Sequence, residues 1–216
     1  MKMKHKERLE DILAILKKHY RNPQTELSHS NPLQLLVATM LSAQCTDKRV
    51  NAVTKELFKK YKTAEDYAKA DLKKLEQEIK STGFYRNKAK NIKNAAQKIL
   101  KDYEGKVPKT MAELLTLPGV ARKTANIVLT AGYGIVEGIA VDTHVKRLSY
   151  RLGFTENANP DKIEQDLMKL IPKKDWSAVN MTLVLHGRYV CQAKKPKCSE
   201  CVVDKICPKI GVVTGT

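Results

Sequence analysis

Apolar side chains recur along this chain at steps of three and four rather than at every second position. Leu9, Ile12, Leu13, Leu16 and Tyr20 form one such stripe, and Leu33, Leu36, Val37, Met40 and Leu41 form another. Val50, Val53, Leu57 and Tyr61 follow, then Ile92, Ala95, Ala96, Ile99 and Tyr103, and later Ile163, Leu167 and Leu170. Residues at these steps share one face of an α-helix, so each stripe predicts a helix with one side to bury. Turn formers stand between the stripes: Pro23, Pro32, Gly83, Gly105 to Pro108, Pro118-Gly119 and Pro160. No segment alternates convincingly at period two, and no repeat or low-complexity linker breaks the pattern. The expected fold class is all-α. Because a helical stripe is core by default, the chemistry must be sought in the turns and at the helix ends.

Charge narrows the partners. Among 216 residues, 40 Lys+Arg face 23 Asp+Glu, a formal net charge of +17. Such a surface attracts polyanions, and counterion release makes nucleic acid the first partner to consider. A lysine-rich solvated surface of a heat-adapted protein would have the same composition. The longest weakly polar stretch, Ile127 to Val141, contains glycines, Thr130 and Glu137, so no membrane span is expected. The basic start, MKMKHKERLEDIL, lacks the apolar centre of a secretion signal, which points to the cytoplasm.

Two constellations carry chemistry. In Leu114-Leu-Thr-Leu-Pro-Gly-Val-Ala-Arg-Lys-Thr-Ala125, a short helix is expected to end at Leu117. Pro118-Gly119 then makes a tight turn, and a second helix begins near Ala121–Arg122. A helix N-terminus beside exposed cations is a phosphate site indifferent to base sequence, whereas a bare Pro-Gly between helices is an ordinary corner. The second constellation, Cys191-x6-Cys198-x2-Cys201-x5-Cys207, wraps four thiols around one compact centre. Its spacing alone leaves zinc and a [4Fe–4S] cluster equally open. Cys45 stands apart and reads as a small buried residue.

The hairpin string resembles that of the helix-hairpin-helix DNA glycosylases, and within them the endonuclease III branch. Further strings share the resemblance: Met40-Leu-Ser-Ala-Gln-Cys-Thr-Asp47, Ser81-Thr-Gly-Phe-Tyr-Arg-Asn-Lys-Ala89, Val141-Asp-Thr-His144, and the cysteine loop preceded by His186-Gly-Arg188. Together they span about Pro32 to Cys207. The chain departs from the family strings at Ala121, usually glycine, and at Phe84, usually leucine. Adenine glycosylases carry an acid on the helix before the glutamine loop and lack the nucleophilic lysine. Here Leu35 to Met40 has no acid and Lys123 is present. Thymine mismatch glycosylases tend to replace that lysine. A non-catalytic metal-bearing DNA-binding scaffold is the competing class.

The resemblance implies a bifunctional enzyme acting on double-stranded DNA with damaged pyrimidines or abasic sites. Lys123 would be the nucleophile at C1′, because an amine can leave a Schiff base and so open the way to β-elimination. Asp142 would stabilise the charge that develops as the base departs, or assist proton transfer, while also suiting a helix N-cap. Gly119, Ala121 and Arg122 would meet phosphate, with His144 a structural or phosphate contact. Gln44, and with less support Phe84, would fill the gap left by a flipped nucleotide. Asp47 is a candidate cap for the helix that follows. The four cysteines would hold a [4Fe–4S] cluster, stiffening a loop whose Lys194, Lys195 and Lys197 meet the backbone. The implied layout is a six-helix domain over 23–133 and a cluster domain from 1–22 and 134–216, with a DNA cleft between them. A monomer, nucleoid-associated in a prokaryote, is the default.

Overall fold

The computed structural model of the protein describes residues 5–21 and 23–212. Residues 1–4, Asn22 and 213–216, all assigned to the expected domains, lie outside the described residues. Among the described residues the chain is helical and has no strand, as the period of its apolar positions requires. The α-helices are α1 (His5–His19), α2 (Pro32–Leu41), α3 (Asp47–Lys60), α4 (Ala64–Lys69), α5 (Leu72–Glu78), α6 (Tyr85–Tyr103), α7 (Met111–Leu114), α8 (Arg122–Ile127), α9 (Thr143–Arg151), α10 (Pro160–Leu170) and α11 (Trp176–Tyr189). They fall into two compact units, Thr25–Glu137 and a second one made of Met1–Gln24 with Gly138–Thr216.

The Thr25–Glu137 unit is built around α2. All residues from Leu35 to Leu41 are buried, so this helix packs on every side, against α3, α6, α8 and the turn that continues α8. Each fully buried leucine in it contributes roughly 1.5–3 kcal/mol. Helix α6 buries Lys88, Ala89, Ile92, Ala95, Ala96 and Ile99, one face of a 3.6-residue repeat, and lays it on α4 and α5. Its apolar part follows the predicted stripe. Lys88 does not.

Short polar residues set the helix starts. Asn31 accepts a hydrogen bond from the Gln34 N–H with Pro32 at the first helical position, and Thr63 and Asp66 form a reciprocal capping box. Such caps are worth about 1 kcal/mol each. The cap of α3 is Thr46, which accepts from the Arg49 N–H, and not Asp47, which lies in the first turn. Threonine at the extended position has its oxygen aimed at the turn, and the carboxylate one residue on adds its negative charge to the first turn.

The hairpin also differs from expectation. Its first helix ends at Leu114 rather than Leu117, and the chain proceeds through single turns, Thr116 N–H to Glu113 O, Leu117 N–H to Leu114 O and Val120 N–H to Leu117 O. Pro118 disfavours helical backbone at Leu117, and the Thr116 hydroxyl takes up the Glu113 carbonyl at 2.7 Å, so the helix closes early. Helix α8 widens into a π-helical turn over Val128–Gly132, a feature absent from the sequence reading. There Gly132 lies against Pro32 and Leu35.

In the second unit, α11 packs against α1 and α9. The approach to α9 depends on Gly187. A Cβ there would lie 2.9 Å from the His144 Cβ and 3.0 Å from a Leu148 methyl. Tyr20 OH and His186 Nδ1 meet at 3.0 Å, fastening the end of α1 to α11.

Candidate functional site

The hairpin turn is shaped by Gly119. Its φ of +78° is left-handed, and a Cβ there would lie 2.8–2.9 Å from Asn91 side-chain atoms on α6. Glycine therefore satisfies the backbone and the close approach together. Ala121 follows as the extended N-cap of α8 and gives no side-chain cap to the helix. The opening turn of α8 thus has no side-chain cap, and it carries Arg122 and the exposed Lys123. Partial positive charge at such a terminus favours an anion.

Three exposed residues in the same unit hold a conformation that costs energy; one of them, Glu104, is the left-handed cap that ends α6. Gln44, at φ 53°, and Phe84, at φ 47°, are both left-handed without being glycine. Phe84 is 63% exposed, so neither burial nor packing accounts for an aromatic there. Strain of this kind, of order 1–3 kcal/mol per residue, concentrates where function demands a particular geometry. Gln44, Phe84 and Gly119 line one cavity together with Met40, Asn87, Lys88 and Asn91. Three residues singled out from separate strings are thus brought to one place. Cys45 is half-buried against the core of this unit.

Lys88 was not found from the sequence. Its Nζ donates to the Leu41 carbonyl at 2.7 Å and to the Thr82 carbonyl at 2.8 Å, and burial lowers its pKa. Among the described residues it is the one buried lysine. A lysine among Arg86, Asn87, Lys90 and Asn91 reads as solvated, and only the tertiary contact reveals otherwise.

In the second unit Asp142 is the N-cap of α9. Its Oδ1 accepts from the His144 and Val145 N–H groups, both at 2.8 Å, so the cap uses one carboxylate oxygen. His144 Nδ1 accepts from Arg147 Nη2 at 3.2 Å, which gives the half-buried imidazole a structural partner.

The four cysteines of the C-terminal loop are free thiols that line a single cavity with His186, Arg151 and Lys209. Donors surround the sulfurs. Arg151 Nη1 reaches the Cys191 Sγ at 3.5 Å, the Lys209 N–H reaches the Cys207 Sγ at 3.4 Å, and His186 Nε2 lies 3.4 Å from the Cys201 Sγ. Burial, with neighbouring thiols adding to it, raises the pKa of Cys201 and Cys207. Burial, and secondarily His19, pushes His186 down to about 4. Among the described residues no three His, Cys, Asp or Glu side chains are grouped to hold a metal ion. An all-thiol donor set with N–H groups aimed at its sulfurs nevertheless suits a cationic centre that replaces the thiol protons.

Two arginines that the sequence reading passed over brace this loop. Arg151, 8% exposed, donates to the Gln192 carbonyl at 2.7 Å and the Ala193 carbonyl at 2.9 Å. Arg147 donates to the Gly187 carbonyl at 2.7 Å and the Cys191 carbonyl at 3.2 Å. Their spacing, four apart on one helix face, is equally that of a solvated charge pair, so the sequence held no signal for the role. Lys194, Lys195 and Lys197 stand exposed on the braced loop; Lys197 also approaches Glu200 at 3.8 Å, an exposed and weak pair.

The chain has clear relatives. A family model described as HhH-GPD superfamily base excision DNA repair protein matches residues 37–173. The endonuclease III of a Synechocystis strain is 55% identical over 203 residues, which cover 94% of this chain and 93% of the relative. That of Bacillus subtilis is 50% identical over 189 residues, covering 87% and 86%. A solved structure of a trapped endonuclease III–DNA covalent intermediate, an estranged-adenine complex, superposes with a TM-score of 0.91 at 45% identity, covering 97% of each chain.

Proposed function

Because the chain belongs to the endonuclease III family of the HhH-GPD superfamily of base excision DNA repair proteins, we infer how its residues divide that work. It is a DNA N-glycosylase with abasic-site lyase activity. The observation that carries the assignment of roles is the exposed Lys123 in the opening turn of α8, behind the Gly119 bend and without a capping side chain.

The phosphate backbone docks on the N–H groups and cations of this turn, from Gly119 through Ala121 to Arg122. Ala121 keeps its N–H, so its methyl changes the approach distance without removing a donor. Gln44 and Phe84 enter the stack as the damaged nucleotide leaves it. Unstacking costs a few kcal/mol, offset by the inserted side chains and the backbone contacts. The Lys123 amine then attacks C1′. The C1′–N bond breaks and the base departs with its electron pair and a proton given up by the amine; the C1′–O4′ bond then breaks, O4′ takes up a proton, and the opened sugar remains as an iminium on Nζ. Loss of a C2′ proton sends electrons toward the iminium and expels the 3′ phosphate, nicking the strand; water later releases Lys123. Asp142 carries negative charge toward the developing oxocarbenium, its Oδ1 held by the α9 N–H groups.

Cys191, Cys198, Cys201 and Cys207 would hold a [4Fe–4S] cluster, which would supply a rigid knot for the loop through four iron–thiolate bonds. Arg147 and Arg151 fasten the same loop from α9, so Lys194, Lys195 and Lys197 face phosphate with little freedom left to lose. The substrates are duplexes with oxidised pyrimidines or abasic sites, and the protein works as a monomer in the cytoplasm, on nucleoid DNA. Among the described residues no helix is long and apolar enough to cross a membrane.

Borohydride reduction of the Schiff base tests this reading. We expect a covalent adduct with duplexes containing thymine glycol or an abasic site, and its loss in Lys123→Gln with DNA binding retained. An adduct only at abasic sites would leave the lyase and remove oxidised pyrimidines as the glycosylase substrate. An undiminished adduct in Lys123→Gln would remove that lysine from the reaction.

A further inference from the structure

We propose that Lys88 is a positioning residue for base extraction: its buried ammonium ties together the two loops that carry Gln44 and Phe84. The proposal rests on the reading of those loops as the elements that enter the DNA stack. Leu41 is the last residue of α2 and lies three residues before Gln44; Thr82 lies two residues before Phe84. Lys88 Nζ donates to both of their carbonyls, at 2.7 Å and 2.8 Å. Its own backbone N–H donates to the Phe84 carbonyl at 3.1 Å, so one residue holds the second loop at two points and the first at one.

Three observations favour a role beyond support of the fold. An ammonium buried without a carboxylate is costly, and a methionine of similar length would fill the same space without that cost. No carboxylate pairs with Lys88 among the described residues; its hydrogen bonds go to two carbonyl oxygens, one of them at the negative end of α2, and the Cys45 thiol is a further electrostatic neighbour. Both tethered loops contain a residue in the left-handed region, a conformation that persists only where surrounding contacts determine it. Lys88 also lines the cavity shared by Gln44, Phe84, Asn91 and Gly119, where the loops and the hairpin turn meet. Pulling a nucleotide out of a duplex requires the inserted side chains to arrive together. Freed loops would sample many separations and lose that advantage.

The test compares single-turnover trapping on a preformed abasic site in duplex with trapping on the same strand alone. The single strand has no opposing stack to open, so the ratio of the two rates isolates extraction from chemistry. In Lys88→Met this ratio is expected to fall at least about tenfold, as the loss of a buried charge-assisted hydrogen bond predicts. A 2-aminopurine opposite the abasic site should brighten when the wild-type protein binds and stay dark with the variant at saturation. A proportionate fall on both substrates would overturn the tether and leave Lys88 as fold support; an unchanged ratio would overturn it too. If Lys88→Met does not fold, Lys88→Gln, which keeps a donor for one carbonyl, carries the same comparison with a smaller fall expected. Absence of an adduct between the wild-type protein and either substrate would overturn the underlying reading, and the tether with it. A failure confined to the Lys88 variants would overturn only the tether.

Discussion

Single residues carry the sharpest constraints. Gly119 combines a left-handed φ with a Cβ position 2.8 Å from Asn91, so alanine there is opposed by the backbone and by a neighbour at once. Gly119→Ala is expected to lower unfolding free energy by about 1–3 kcal/mol and to weaken DNA binding, as followed by denaturant titration and by fluorescence anisotropy. Unchanged values would mean that Asn91 yields freely. Gln44 and Phe84 present the opposite case. Glycine at either position relieves strain while removing the inserting side chain. Thermal melts of Phe84→Gly should show stability between unchanged and about 1 kcal/mol higher, since relieved strain outweighs the added chain entropy. Its trapping on duplex should nonetheless slow. A clear loss of stability would mean that the aromatic ring supports the fold rather than the substrate.

At the scale of elements, the predicted helical stripes became helices because burial on one face is a property of the sequence itself. The ends were less legible. Leu114 rather than Leu117 closes α7, because Pro118 acts one residue upstream and a threonine hydroxyl satisfies the freed carbonyl. The π-helical turn after α8 left no trace in the periodicity, which changes little when one residue is added to a turn. The site divides in the same way. Gly119 and the cysteine loop stood out by their own residue types and spacing, whereas Gln44 and Phe84 stood out only through the resemblance of their strings to a known family. Lys88, Arg147, Arg151 and Gly187 did not, since a lysine, an arginine pair and a helical glycine are unremarkable until a distant element touches them. Gly187 illustrates the consequence. Alanine there would force α9 and α11 apart, with an expected cost of about 1–3 kcal/mol by chemical denaturation. A cost near zero would show that the helices slide to absorb a methyl group.

For the whole molecule, charge and the cysteine loop give separate tests. The +17 surface predicts binding to undamaged duplex that weakens steeply with salt. Replacing Lys194, Lys195 and Lys197 together by alanine should weaken binding about equally on all sequences and lower the slope of log K against log salt by about 2–3. An unchanged slope would show that this loop does not meet phosphate. Protein prepared without oxygen should contain iron and acid-labile sulfide in about a four-to-four ratio. Stoichiometric zinc in their place would contradict the cluster assignment. If Lys123 is the amine joined to DNA, peptide mapping of the borohydride-reduced adduct by mass spectrometry should find the added sugar on the peptide that contains Lys123. Finding it on another lysine or on the chain's amino terminus would remove Lys123 from the reaction.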